Sequence, residues 1–157
     1  MHDDDQKFLT IAARLSRKNM AATAGPFGAI IVKDAIVIAE GWNEAAPDFD
    51  PTAHGEMNAI RRACKALGSF SLEGCTIYAS CEPCPMCLGA IHWARLDRLV
   101  FANTRWDAAE IGFDDDWIYR EMPKPLAERL IPTFHVPNEE AKAVFAEWLA
   151  LPNKEPY

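Results

Sequence analysis

The sequence predicts an α/β fold in three layers, αβα, around a central mixed sheet of five strands. Three observations predict it. Short apolar runs rich in β-branched residues alternate with segments of helical period. The first two runs are separated only by Lys33-Asp34-Ala35, which makes an antiparallel hairpin. The later runs are separated by helical segments, which makes βαβ units and parallel pairing, with helices on both faces.

The elements follow in order. Phe8, Ile11, Ala12 and Leu15 recur at three- and four-residue steps, so 5–22 reads as an amphipathic helix that Gly25-Pro26 ends. Residues 27–32 and 36–39 are the hairpin strands, and Gly41-Trp42-Asn43 closes the second. Pro47, Asp48, Asp50 and Pro51 mark 44–53 as a loop. A helix then starts near Thr52 to His54 and runs to Leu67, with Thr52 as its expected cap and Gly68 as its stop. Residues 76–79 form a third strand, a helix runs from Pro83 or Cys84 to near Arg95, and 98–102 form a fourth strand. From 103 to 125 the chain reads as irregular, with one short helix over 107–111. Residues 131–136 read as a fifth strand at a sheet edge, since Pro132 cannot donate to a ladder. Asn138 caps a last helix whose first turn carries Glu139 and Glu140 and whose stripe is Val144, Phe145, Trp148 and Leu149.

At 157 residues the chain is expected to form one domain, 1–157, with 137–157 as a C-terminal helix and tail. No apolar run approaches the roughly 20 residues a bilayer-spanning helix needs. Met1-His2-Asp3-Asp4-Asp5 is acidic where a signal peptide would be basic, so a cytoplasmic location is expected. The net charge of −7 counts against a long nucleic-acid footprint, which needs clustered Lys and Arg. Arg14/Arg17/Lys18 and Arg61/Arg62/Lys65 have helical spacing and read as solvated faces.

Five cysteines are present, and three cluster in Cys81-Glu82-Pro83-Cys84-Pro85-Met86-Cys87. Cys84 and Cys87 share a face in the first turn of a helix, whose electropositive start favours thiolates. His54 and Glu56 lie at the start of another helix. One imidazole and two thiolates are three protein ligands for zinc, which leaves a coordination position open, as catalytic zinc sites do. A carboxylate there can take a proton from water and return it to a leaving group. His-x-Glu with Pro-Cys-x-x-Cys is the pairing found in zinc deaminases of nucleobases. Two other arrangements stand beside it. Cys81 with Cys84, Cys87 and His54 would make a closed structural site. The same run opens like an iron–sulfur motif, though that pattern's further Cys-Pro is missing.

Over most of its length the chain resembles the cytidine-deaminase-like superfamily and, within it, the short bacterial guanine deaminases. The likeness lies in Gly25-Pro26-Phe27-Gly28-Ala29, Ile38-Ala39-Glu40-Gly41 with Asn43, Asp50-Pro51-Thr52-Ala53-His54, and Ser80 through Ile91. Those motifs are shared with tRNA adenosine and cytosine deaminases. Asp107-Ala108-Ala109-Glu110-Ile111-Gly112-Phe113-Asp114-Asp115 and the closing Lys154-Glu155-Pro156-Tyr157 resemble the guanine enzymes. The resemblance implies one zinc per subunit held by His54, Cys84 and Cys87, with Glu56 as proton shuttle. It implies a purine stacked on Phe27, hydrogen-bonded by Asn43, met by Asp115 or the adjacent Asp114, and closed over by Tyr157. It also implies a homodimer that exchanges its C-terminal segments, hydrolysis of guanine to xanthine and ammonia, and a role in purine catabolism. Gly55 stands where Ala is usual and would face the substrate with its backbone N–H. Another base (tRNA adenosine, cytosine or a guanine-like triazine) and a non-catalytic zinc-stabilised module remain alternatives.

Overall fold

In the computed structural model, residues 4–22 and 25–155 are described. The element order is α1 (Asp5–Asn19), β1 (Gly28–Lys33), β2 (Ile36–Trp42), α2 (Gly55–Leu67), β3 (Cys75–Cys81), α3 (Pro85–Trp93), β4 (Arg98–Asn103), α4 (Arg105–Glu110), α5 (Asp116–Glu121) and α6 (Glu139–Ala150). Short 3-10 turns lie at Met20–Ala22 and Leu126–Glu128. The sheet order is β2-β1-β3-β4. β1 pairs antiparallel with β2 and β3, and β3 pairs parallel with β4, so the sheet is mixed as expected.

The expected fifth strand is absent among the described residues: the sheet has four strands, and 131–136 belongs to no helix or strand. Its Ile131, Phe134 and Val136 are exposed, so the apolar run that suggested a strand is not buried within this chain. Thr52 does not cap α2. His54 takes the N-cap position without a side-chain cap bond, while Thr52 turns back onto Asp50. α1 ends at Asn19, a turn earlier than the periodicity suggests.

Alternation along the central strands builds two cores from one apolar run. Ala29 and Ile31 of β1, with Ile77 and Ala79 of β3, pack against Ala59, Ile60 and Ala63 of α2 and Ile91 of α3. Ile30, Val32 and Tyr78 point the other way, onto Phe8 and Leu15 of α1. A strand buried on both faces reads as continuous rather than alternating hydrophobicity, which is why 28–32 looks uniformly apolar. The hairpin turn is two residues, Asp34 and Ala35, both at positive φ (49° and 61°), the conformation that matches strand twist. Asp5 is buried at the start of α1. Its carboxylate accepts from Arg98 Nη1 and Nη2 at 2.8 and 2.7 Å and from Tyr78 Oη at 3.0 Å, which ties α1 to β3 and β4.

The chain divides into two units between Tyr119 and Arg120. In the second, α6 is capped by Asn138, whose Oδ1 accepts from the Ala141 N–H. No residue of α6 is buried; Phe145, Trp148 and Leu149 of its stripe are exposed.

Candidate metal centre and base pocket

Two helix starts meet at the carboxyl ends of β2 and β3, beside the amino end of β1. Gly41 makes that approach possible. A Cβ there would lie 2.1 Å from Gly55 O and 2.3 Å from Ala59 N, so only hydrogen lets β2 accept the first turn of α2. Gly28 similarly faces Ala12 O and Ser16 N at 2.8 and 2.9 Å, and its own N–H donates to Ser80 Oγ at 3.0 Å. β3 then ends at Cys81. Pro85, the first residue of α3, presets the helical φ and leaves Cys84 at the N-cap.

This arrangement brings together His54, Cys84 and Cys87. His54 Nδ1 is 3.6 Å from each sulfur, and the two sulfurs are 3.6 Å apart. A tetrahedral zinc with bonds of about 2.3 Å to sulfur and about 2.0 Å to nitrogen needs donor separations of roughly 3.5 to 3.8 Å. The triangle fits the ion without rearrangement, so these three side chains could hold a metal. Cys81 is not among them. Its thiol reaches Thr104 O at 3.5 Å instead of joining the three donor atoms. A closed site of three cysteines and one histidine is therefore not what the chain forms.

The electrostatics suit a cation. Hydrogen bonding from Cys87 and then from His54 draws the Cys84 thiol down to about 4. The two thiols share a proton, and Cys87 is held well above the usual thiol range by its bond to Cys84 and by burial. His54 is raised, chiefly by its hydrogen bond to Cys84. Glu56 is 8% exposed, and burial raises its carboxyl above the ordinary range. Although two residues separate it from His54, the extended backbone at His54 (φ −71°, ψ 160°) lets both side chains enter the same cavity.

That cavity, of about 430 Å³, is lined by Phe27, Asn43, His54, Glu56 and Cys84 as expected, and by both Asp114 and Asp115. Asn43 is buried. Its Oδ1 accepts from the Ala45 N–H at 3.1 Å, and its own N–H donates to Phe27 O at 3.1 Å. Asp114 Oδ1 accepts from the Asp116 N–H at 3.1 Å. Asp115 Oδ1 is buried with no partner, and burial, then the charge of Cys84, raises the carboxyl. Gly55 is buried outside the lining, and a Cβ there would meet Gly28 Cα and Phe27 O at 3.4 Å. Tyr157 lies outside the described residues.

Other lining residues lie within the motifs quoted above, but the sequence assigned them no role. Phe113 stands edge-on to Phe27, with ring centroids 4.8 Å apart, and Glu82 and Pro51 complete the walls. Asn58 was legible in retrospect, as a polar residue on the apolar face of α2. Its Nδ2 donates to Trp42 O at 3.0 Å and Glu44 Oε2 at 2.9 Å, pinning the segment that carries Asn43 to the helix that carries Glu56.

A thiolate–imidazole triangle, an adjacent buried carboxyl and a cavity for a flat ring define the class. The chain belongs to the family described by the cytidine and deoxycytidylate deaminase zinc-binding region, whose model matches residues 2–103. Within that class it is a homologue of guanine deaminase. It is 50% identical over 153 residues to guanine deaminase of Bacillus subtilis, covering 97% of this chain and 98% of that protein. The crystal structure of guanine deaminase from Bacillus subtilis superposes with a TM-score of 0.94, at 49% identity over 100% of this chain and 99% of that one. A tRNA-specific adenosine deaminase of Haemophilus influenzae is 40% identical over 71% of this chain and 68% of that protein.

Proposed function

We propose that this protein hydrolyses guanine to xanthine and ammonia, with His54, Cys84 and Cys87 holding one zinc and Glu56 moving the protons. The observation that carries this reading is the 50% identity to a guanine deaminase along nearly the whole of both chains. When bound, zinc supplies a Lewis acid that lowers the pKa of water toward neutrality. Glu56 accepts a proton from the attacking water as the oxygen adds at C2 of the ring. It passes that proton to the ring nitrogen, takes the second proton from the hydroxyl now on C2, and hands it to the amine, which leaves as ammonia as the C2–N bond breaks and the C2 carbonyl forms. Burial raises the Glu56 carboxyl, which makes it a stronger proton acceptor than an ordinary carboxylate.

Phe27 and Phe113 offer aromatic surface for the purine. With Oδ1 of Asn43 engaged by Ala45, its amide NH2 is the group that meets a purine carbonyl. Asp115, whose Oδ1 lacks a protein partner, receives the N–H edge that guanine presents, with Asp114 oriented beside it by its bond to Asp116. The guanine reading also assigns a base contact to Tyr157, on the resemblance of the closing Lys154-Glu155-Pro156-Tyr157 to the guanine enzymes. The exposed stripe of α6 supports a homodimer in which 137–157 is exchanged between subunits. No helix among the described residues is long and apolar enough to cross a membrane, and a cytoplasmic role in purine catabolism accords with this reading.

The test is a substrate panel. Purified zinc-loaded protein is incubated with guanine, adenine, adenosine, cytosine, cytidine, a guanine-like triazine and a tRNA anticodon stem, and ammonia release is followed with the ultraviolet spectrum. Guanine is expected to be turned over with the highest kcat/KM. Turnover of the tRNA alone, or of nothing, overturns the proposal.

A further inference from the structure

The loop that carries Asp114 and Asp115 has almost no core of its own, yet it faces the metal triangle. Its anchor is Tyr119. Asp115 O accepts from the Ile118 N–H at 3.0 Å, so Asp115 caps α5. Tyr119 follows four residues later, on the same side of the helix. The Tyr119 Oη donates to Pro83 O at 2.6 Å, and Pro83 directly precedes the ligand Cys84. The ring is held in place from the side by the Arg105 guanidinium, 4.6 Å from its centroid, which also sits 3.6 Å from Asp116. A second clip lies beside it: the Arg105 N–H donates to Glu82 Oε2 at 3.0 Å, and the Glu82 N–H donates to Asn103 O at 2.8 Å.

We infer that Tyr119 is a positioning residue for base recognition: its hydroxyl fastens α5 to the Pro83 carbonyl and thereby sets where Asp115 stands relative to the metal turn. This deepens the guanine reading and rests on it. A hydrogen bond to a backbone carbonyl fixes distance without entering the pocket, so Tyr119 touches neither base nor metal. Its loss frees α5 to move outward. The Asp115 carboxyl, whose buried Oδ1 has no protein partner, moves with the helix.

The experiment is a double-mutant cycle on the zinc-loaded full chain, with Tyr119→Phe, Asp115→Asn and both together. Tyr119→Phe keeps the ring against Arg105 and removes only the hydroxyl. Each protein is measured for zinc content, Tm, guanine KM and kcat, and affinity for 8-azaguanine by calorimetry. Tyr119→Phe is expected to keep its zinc, to raise KM and the 8-azaguanine Kd about tenfold, and to change kcat less. In the Asp115→Asn background the same substitution is expected to cost nothing further, because a residue that acts through another is not additive with it. Wild-type affinity in Tyr119→Phe, full additivity with Asp115→Asn, or loss of zinc would each overturn the inference. A wild-type protein that neither turns over guanine nor binds 8-azaguanine instead overturns the functional proposal, and this inference with it.

Discussion

The chain up to Asn103 and the stretch after it are built differently. The first lies in a doubly covered sheet, with the ligand cysteines and Glu56 buried. The second is short helices and turns whose large apolar residues, among them Trp106, Ile111 and Trp117, are exposed. The family model ends at residue 103, while likeness to the Bacillus subtilis guanine deaminase continues along nearly the whole chain. The division follows from physics. Activating water and moving protons require donors fixed to fractions of an ångström in a low-dielectric setting, which only a rigid core supplies. Choosing among bases requires a few polar groups at the rim, which can sit on loops that vary without disturbing that core.

The largest expected effect tests the buried half. Glu56→Gln is expected to keep one zinc and lose turnover by a factor of about 10³ or more, read by ammonia release beside metal analysis. The same variant carries a stability signature of opposite sign. Burial raises the Glu56 pKa in the folded chain, so its contribution to stability is full below the unfolded value of 4.5 and is lost as pH rises through the folded value. In protein stripped of zinc, so that no cation offsets the carboxylate, Glu56→Gln should melt above wild type at pH 8, with the gap closing toward pH 4. A wild-type Tm that rises relative to Gln with pH would contradict the burial argument.

Next is the choice of ligands. Cys84→Ser is expected to lose zinc and to melt lower than wild type, because metal binding free energy is also folding free energy. Cys81→Ala is expected to keep one zinc and lose only about 1 kcal/mol of packing. Zinc-free Cys81→Ala protein would restore the closed four-ligand site, and metal analysis of the two purified variants decides between them.

How much of each half was legible follows the same division. The hairpin, the two ligand-bearing helices and His54, Glu56, Cys84 and Cys87 were readable because each obeys a local rule of period, cap or spacing. The fifth strand was not, because a short apolar run reports a tendency to be buried, not against what; 131–136 has the run without the pairing. Asp5 read as part of an acidic terminus and is in fact a buried anchor for Arg98 and Tyr78, distant in sequence and so invisible to local pattern. Phe113 and Tyr119 escaped for that reason too. Their roles depend on partners, Phe27 and Pro83, that only the fold brings near.

A smaller effect is expected where β2 meets the first turn of α2. Gly41→Ala puts a methyl group against backbone at Gly55 and Ala59 that cannot rotate away. Overpacking of this kind costs about 1–3 kcal/mol. Because the strain falls on the first turn of α2, zinc affinity should weaken together with Tm. A Gly41→Ala protein with a lowered Tm but unchanged zinc affinity would show that β2 supports the core without setting the position of His54.

The smallest effect concerns Gly55, between His54 and Glu56. Its φ is not in the left-handed region, and a Cβ would meet Gly28 Cα and Phe27 O at 3.4 Å, an ordinary contact. Alanine therefore fits where glycine stands, and it spares the folded chain the extra backbone entropy that glycine loses at a helical position. Gly55→Ala is expected to raise stability by about 0.5–1 kcal/mol, measured by denaturant midpoint at unchanged slope, with guanine KM within twofold of wild type. The outcome sharpens the contrast between the two halves. A rise in stability with unchanged KM means that base affinity is set at the Asp114–Asp115 rim. A fall in KM with the added methyl would move part of that control into the buried turn beside the metal.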